Sequence, residues 1–142
     1  PGSVIDLGTG SGFPGICLGI IDPNRELTLV DSNIKKTSFL IHIKNELGLN
    51  SVSIKNLRVE EIEQINEINI VCRAFKEPAT LLKSLENKIT KKNKIILMVS
   101  EKEPFLLKVL ISPTKSQRHL KFLEKKEVSW KFKCPKTAIV SL

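Results

Sequence analysis

The chain has 142 residues, of which 41% are hydrophobic, so its length suits one globular domain and leaves little room for a second core. It has neither an apolar run near the ~20 residues of a membrane span nor a secretion leader, and its three cysteines are scattered, so we expect a cytoplasmic protein without structural zinc. The net charge of +8 indicates a polyanionic partner, most often nucleic acid, with a merely solvated lysine-rich surface as the alternative.

Short β-rich runs alternate with longer helical patterns, which is typical of βαβ units around a mostly parallel sheet. The predicted strands cover residues 3–7, 26–31, 51–55, 68–72 and 95–99, and the predicted helices cover 16–21, 35–47, 59–65 and 77–89. The predicted apolar face of the second helix has helical spacing and consists of Phe39, Leu40, Ile43 and Leu47. Beyond residue 99 the pattern weakens to a helix over 104–111 and strands over 128–132 and 138–142.

The turn between the first strand and the first helix, DLGTGSGFPG over residues 6–15, is the most informative stretch. Glycines permit positive φ and let a ligand approach the backbone, and the helix that follows offers free N–H groups. One register, Gly10-x-Gly12-x-x-Gly15, matches the dinucleotide fingerprint. The other, Asp6-x-Gly8-x-Gly10-x-Gly12, resembles the first motif of class I methyltransferases. We favour the second, because a carboxylate repels a pyrophosphate and attracts the ammonium group of S-adenosylmethionine.

Asp31 ends the second predicted strand. A carboxylate there can accept hydrogen bonds from the two hydroxyls of a ribose, and both registers of the glycine turn use it in this way. An exposed turn residue is the alternative interpretation. Asp31 therefore predicts nucleoside binding without choosing between the two ligands.

Four segments together resemble the glucose-inhibited division protein B family of bacterial methyltransferases: VIDLGTGSGFPGICLGI, LTLVDSNIKKTSFL, RVEE and CRAF. The resemblance covers residues 4–82, and GFPG is its most specific element. It implies a Rossmann-like class I methyltransferase fold, an α/β three-layer sandwich with a mostly parallel sheet and an antiparallel strand near the C-terminus. It also implies transfer of a methyl group from S-adenosylmethionine to N7 of a guanine in small-subunit (16S) ribosomal RNA.

The resemblance further implies a set of cofactor-binding residues. Gly8 and Phe13 line the pocket, and Gly10 lets the turn approach the cofactor. Asp31 belongs to the same set, because a carboxylate at the end of the second strand can bind the hydroxyls of the ribose. The remaining members flank the adenine or face the active cleft: Val59, Glu60 and Arg73. Core packing for Phe13, helix capping for Glu60 and a structural ion pair for Arg73 are the alternatives.

Lys35 and Lys36 open the second predicted helix, where they could contact RNA phosphates or remain solvated. We expect ribosomal RNA or the small ribosomal subunit as the partner, and we expect no metal and a monomer. Guanine N7 carries a lone pair and no proton, so the reaction needs no general base and we assign no catalytic residue. Cys72, beside Arg73, could have a lowered pKa, but the resemblance calls for no thiol nucleophile.

The chain departs from the family in three places. We expect that residues 1–142 are one methyltransferase domain that lacks the family's N-terminal helices. Asn69 stands where an aspartate is common, and Val99-Ser100 replaces the usual Lys-Gly. The alternatives that remain open are a class I methyltransferase with another substrate, a degenerate RNA-binding fragment without activity, and a dinucleotide-dependent dehydrogenase.

Overall fold

The computed structural model describes residues 2–73 and 78–98, so the elements predicted beyond residue 99, including the antiparallel strand, lie outside it. Five strands form one sheet: β1 Val4–Leu7, β2 Leu27–Asp31, β3 Val52–Asn56, β4 Asn69–Arg73 and β5 Lys94–Met98. Three helices, α1 Gly15–Ile21, α2 Ile34–Glu46 and α3 Pro78–Leu85, and a 3-10 turn at Val59–Glu61 lie between them.

All neighbouring strands pair in parallel, in the order β3-β2-β1-β4-β5. From β1 the chain builds the sheet outward through β2 and β3, and it then returns to the other side of β1 to form β4 and β5. The direction of winding therefore reverses between β1 and β4. In open α/β sheets, ligands bind in the crevice beyond the carboxyl ends of the strands at such a reversal.

Two apolar clusters make the molecule a three-layer sandwich. On one face of the sheet α1 and α2 pack on Val4, Leu27, Leu29, Val52 and Val71 through Ile16 and Leu40. On the other face α3 and the 3-10 turn pack on Ile5, Leu7, Val30, Ile70, Cys72 and Ile95 through Leu81, Leu85 and Val59. Both faces of the central strands are covered, which is why β1 reads as a continuous buried run rather than an alternating one.

The predicted apolar face of α2 is only partly buried. Leu40 is buried and Ile43 half-buried, but Phe39 and Leu47 are 49% and 50% exposed, so the prediction is wrong for these two. Thr37 is buried in their place, because its hydroxyl donates to the Ile34 carbonyl at 3.0 Å and needs no solvent. The face that meets the sheet thus follows residues 37, 40 and 43.

Two predicted helices are shorter in the structure. The helix predicted over 59–65 is only the 3-10 turn Val59–Glu61, and the helix predicted over 77–89 ends at Leu85. After the 3-10 turn, the backbone bonds to distant groups: the Asn93 side-chain amide donates to the Ile65 carbonyl at 3.3 Å and to the Glu67 carbonyl at 2.7 Å. These long-range partners replace the local helical bonds that the apolar spacing predicted.

Candidate functional site at the carboxyl edge of the sheet

The glycine turn between β1 and α1 needs glycine for two physical reasons. Gly8, Gly10 and Gly12 have φ of +71°, +61° and +97°, which side-chain-bearing residues rarely adopt. In addition, a Cβ on Gly12 would lie 2.6 Å from Ile16 and 2.7 Å from Leu40, so α1 and α2 could not pack as they do. The turn is therefore a tightly determined structure rather than a loose connection.

The Asp6 side chain holds the conformation of this turn through hydrogen bonds. Its side chain is 1% exposed, and one carboxylate oxygen, Oδ2, accepts from the Thr9 hydroxyl at 2.7 Å and from the Gly15 N–H at 2.9 Å. The other oxygen, Oδ1, is also buried and has no hydrogen-bond partner among the residues that the structure describes. One half of the carboxylate thus holds the turn, while the other half offers an unused acceptor.

The carboxylate of Asp6 is buried, where a negative charge is poorly solvated. Burial raises the pKa of Asp6 above its ordinary value of 3.8, and the negative Asp31 adds to this, while the Thr9 and Gly15 bonds and the positive Arg73 oppose it. A buried carboxylate that lacks a full set of partners gains from a nearby cationic group. This site therefore favours a ligand with a positive charge.

Asp31, which ends β2, ties the turn to the neighbouring strands. Its Oδ2 accepts from the Gly10 N–H at 2.9 Å and its Oδ1 from the Asn33 N–H at 2.9 Å. The side-chain amide of Asn56, at the end of β3, donates to the Asp31 carbonyl at 3.0 Å. Each carboxylate oxygen keeps a lone pair for a further donor, because an ionised carboxylate has about four acceptor positions.

Five N–H groups of the turn are already used within the protein, which leaves it poorly suited to cradle a phosphate. Those of Gly8 and Thr9 donate to the Val30 carbonyl at 2.9 and 3.1 Å, and that of Gly12 donates to the Thr9 carbonyl at 3.0 Å. Those of Gly10 and Gly15 donate to the two carboxylates. A pyrophosphate would need free N–H groups and would meet two negative charges, so this geometry disfavours the dinucleotide register.

A cavity of about 140 Å³ opens between the turn, the end of β2 and the 3-10 turn. Four of the seven predicted cofactor residues line it: Gly8, Asp31, Val59 and Glu60. Four residues that were not predicted for the site line it as well, and no local pattern distinguishes them: Val30, Ser32, Leu57 and Arg58. The cavity is smaller than a complete pocket for a drug-sized ligand, so it can accept a part such as a sugar ring and the edge of a base.

The other three predicted residues, Gly10, Phe13 and Arg73, do not line this cavity. Gly10 is joined to it only through the N–H bond to Asp31. Arg73 extends from the end of β4 and places its guanidinium carbon 5.0 Å from the centroid of the Phe13 ring, a cation–π geometry. Phe13 is 41% exposed, so it is not a core residue. The pair lies beside the glycine turn, where β1 and β4 end.

Lys35 and Lys36 are exposed at the first turn of α2, at the same edge of the sheet. The Asn33 side chain caps this helix by accepting from both of their N–H groups, at 3.0 and 3.3 Å. Most of the net charge lies elsewhere, because residues 99–142 contain ten Lys and Arg against four Asp and Glu. The basic surface predicted from composition therefore falls mainly outside the described ranges.

A lowered pKa for Cys72 is contradicted. Burial, and secondarily the negative Asp6, raise the pKa of this thiol far above its ordinary value. Cys72 packs in the cluster under α3 as a neutral thiol.

The described ranges contain neither a membrane-spanning helix nor a cluster of metal ligands. None of the helices there is long and apolar enough to cross a membrane. No group of three or more His, Cys, Asp or Glu side chains in that part of the chain is placed to hold a metal ion. A second cavity, of about 380 Å³, lies at the opposite, amino ends of β1 and β2, and none of the predicted site residues lines it.

Comparison with known proteins gives matches in sequence. A family model described as "GidB: rRNA small subunit methyltransferase G" matches residues 1–133. A protein of that name from Halorhodospira halophila is 42% identical over 81 residues, which cover 57% of this chain and 39% of the relative. Its counterpart from Francisella philomiragia is 38% identical over 96 residues, covering 68% of this chain and 47% of the relative. The chain thus spans less than half the length of these relatives.

Solved structures match in fold. Coclaurine N-methyltransferase bound to N-methylheliamine and S-adenosylhomocysteine matches with a TM-score of 0.61 at 20% identity, over 68% of this chain and 30% of that one. An S-adenosyl-L-methionine-dependent methyltransferase from Methanococcus maripaludis, described as putative, matches with a TM-score of 0.57 at 20% identity, over 68% and 47% of the two chains. These likenesses establish the predicted Rossmann-like fold of class I methyltransferases.

Proposed function

Because the chain belongs to the family of rRNA small subunit methyltransferase G, we propose that it transfers a methyl group from S-adenosylmethionine to N7 of a guanine in small-subunit ribosomal RNA. The observation that carries this proposal is the cavity at the carboxyl edge, where the positive-φ glycine turn, Asp31 and the 3-10 turn meet. We further propose that the protein acts in the cytoplasm as a monomer.

The residues at this edge fit S-adenosylmethionine, which supplies an electrophilic methyl group on a sulfonium. Asp31 retains lone pairs at the cavity wall for the hydroxyls of a ribose. Val59 offers an apolar contact and Glu60 a carboxylate acceptor for an adenine. The buried, unpartnered oxygen of Asp6 attracts the ammonium group of the methionine part. The carboxylates of Asp6, Asp31 and Glu60 are acceptors, which suits a ligand that brings donors and positive charge.

The protein's own part in the reaction is to hold its substrates in place. Guanine N7 has a lone pair and no proton to remove, so no side chain needs to act as a base. Holding the reacting atoms in line contributes up to about 7–11 kcal/mol in favourable cases. We propose that Arg73, whose guanidinium lies over the Phe13 ring where β4 ends, faces the active cleft and contacts the RNA base or its phosphate there. Lys35 and Lys36 add positive charge at the same edge.

A methyl-transfer assay tests the proposed function. The purified chain is incubated with methyl-labelled S-adenosylmethionine and either small ribosomal subunits or bare 16S RNA that lacks the modification. We expect label in RNA, recovered as 7-methylguanosine after digestion. Label in protein or in a small molecule would instead favour a methyltransferase with another substrate, and binding of RNA without any transfer would favour a fragment without activity.

Replacing Asp6 with asparagine is expected to raise stability at neutral pH and weaken cofactor binding. The pKa of Asp6 is higher in the folded chain than in the unfolded chain. The carboxyl therefore favours folding at low pH, and this contribution is lost as the pH rises through the folded pKa. The amide introduced by Asp6→Asn does not titrate. Urea unfolding should therefore show a smaller fall in stability between pH 4 and pH 7 for this variant than for the wild type.

The same variant should bind S-adenosylhomocysteine about tenfold more weakly, because it loses the charge that attracts the ligand's ammonium group. Asp22→Asn is the matched control: Asp22 forms a half-buried ion pair with Arg25 at the amino edge, at 2.7 Å. That control should leave ligand affinity unchanged. An Asp6→Asn variant with wild-type affinity and a wild-type pH profile would remove Asp6 from the site.

A further inference from the structure

The segment between β3 and β4 forms one wall of the cavity but has little structure of its own. Its only regular element is the three-residue 3-10 turn Val59–Glu61, which contributes Val59 and Glu60 to the wall. Such a short turn is not self-supporting, because it forms only two backbone bonds, from the Glu61 and Ile62 N–H groups at 3.0 and 3.3 Å. Its position must be set by groups from elsewhere.

Lys88, in the turn that follows α3, supplies such a group. Its ammonium donates to the Glu60 carbonyl at 2.8 Å and also to the Ile62 carbonyl. Its own backbone carbonyl accepts from the Ile65 N–H at 2.9 Å. Lys88 therefore binds the segment at three points, namely Glu60, Ile62 and Ile65.

The amino end of the 3-10 turn is held by a hydrogen bond within the turn itself. The Glu61 carboxylate accepts from the Arg58 N–H at 2.7 Å. The negative side chain thus bonds an N–H at the amino end of the turn, and the positive Lys88 bonds carbonyls at its carboxyl end. This arrangement matches the polarity of a helical turn, in which free N–H groups lie at the start and free carbonyls at the end.

Lys88 has no competing role in the described part of the chain. It is half-buried, and no carboxylate there forms an ion pair with it. Hydrogen bonds from a charged donor to backbone carbonyls are stronger than those between neutral groups. A half-buried ammonium directed at two carbonyls is therefore a specific attachment rather than a solvated surface charge.

We propose that Lys88 is a positioning residue that holds the 3-10 turn against the cavity and thereby sets the affinity for the cofactor. This inference rests on the proposed function, in which Val59 and Glu60 contact the adenine. It adds a residue that lies outside the cavity wall and acts through the backbone of the residues that form it.

The test compares three variants of the full chain. Lys88→Met keeps the length and the apolar stem of the side chain but removes the ammonium, and Lys88→Arg restores a cationic donor. Lys91→Met is the matched control, since it removes the same charge from the same connection between α3 and β5. Lys91 is exposed, and its side chain forms no hydrogen bond to any described residue. Each variant is titrated with S-adenosylhomocysteine, and hydrogen–deuterium exchange is measured for the peptide that covers residues 57–66.

We expect Lys88→Met to weaken binding about tenfold, the effect of losing a hydrogen bond to a charged group. Exchange should become faster over residues 57–66, while the unfolding midpoint moves little. Lys88→Arg should return to within about threefold of the wild type, and Lys91→Met should match the wild type. In steady-state assays the loss should fall on the KM for S-adenosylmethionine rather than on kcat.

Two results would overturn different claims. If the wild-type chain binds S-adenosylhomocysteine and Lys88→Met binds it equally well with unchanged exchange, Lys88 has no positioning role. If the folded wild-type chain does not bind S-adenosylhomocysteine at all, the proposed function fails, and the cofactor role of Lys88 fails with it.

Discussion

A Gly8→Asp variant is expected to lose measurable binding of S-adenosylhomocysteine. Gly8 has φ of +71° and lines the cavity, so any side chain there is both strained and placed at the ligand's entry. The left-handed conformation costs a non-glycine residue about 1–2 kcal/mol. An aspartate also adds a third carboxylate beside Asp6 and Asp31, where it would compete for the donors of the ligand.

Gly48→Asp is the control that separates the effect of backbone strain on stability from the effect of a side chain in the binding site. Gly48 follows α2 with φ of +61°, and a Cβ there would meet nothing within 4 Å. This variant should show a similar loss of stability in urea unfolding while retaining wild-type affinity in calorimetry. Affinity within a few-fold of wild type for Gly8→Asp would show that the ligand does not bind against this turn.

An Arg73→Ala variant is expected to reduce methyl transfer at least about a hundredfold, a loss that misplacement of a substrate by about 1 Å can cause. Its stability should change little, because Arg73 is exposed and its contact with the Phe13 ring, at 5.0 Å, belongs to a class worth only about 0.5–1 kcal/mol at exposed sites. Single-turnover transfer to RNA and chemical unfolding, measured on the same sample, check both halves of this prediction.

Arg25→Ala serves as its control. Arg25 bonds Asp22 at 2.7 Å and the Gly2 carbonyl at 3.3 Å, at the amino edge of the sheet and away from the glycine turn. It should lose at least as much stability as Arg73→Ala and keep full transfer activity. Equal activity in the two variants would remove Arg73 from the site.

Each of the five strands lies within a residue or so of its predicted position. The central strand β1 was predictable as a buried run followed by a glycine turn, because both faces of the sheet are covered there. The edge strand β3 was predictable from the alternation of Val52 and Ile54. It was harder to predict which helix residues are buried. The helical spacing of Phe39 and Leu47 could not show that Thr37 would satisfy its hydroxyl locally and take the buried position.

The part of the site that lies in the glycine turn and at the strand ends was predictable from the sequence. Gly8 and Asp31 follow from the glycine spacing and from the rule that ligands bind beyond the carboxyl ends of strands. Val59 and Glu60 came only from the family resemblance, because nothing in their local pattern indicates a cavity. Lys88 could not be found at all, since its partners are more than twenty residues away and the pairing depends on tertiary contact.

Calorimetric titration of the purified, folded chain with S-adenosylhomocysteine, with NAD in a parallel cell, tests the proposed cofactor site most directly. Because five N–H groups of the glycine turn are already bonded and two carboxylates lie against it, we expect saturable binding of S-adenosylhomocysteine and no binding of NAD. Binding of NAD, or of neither ligand, would contradict it.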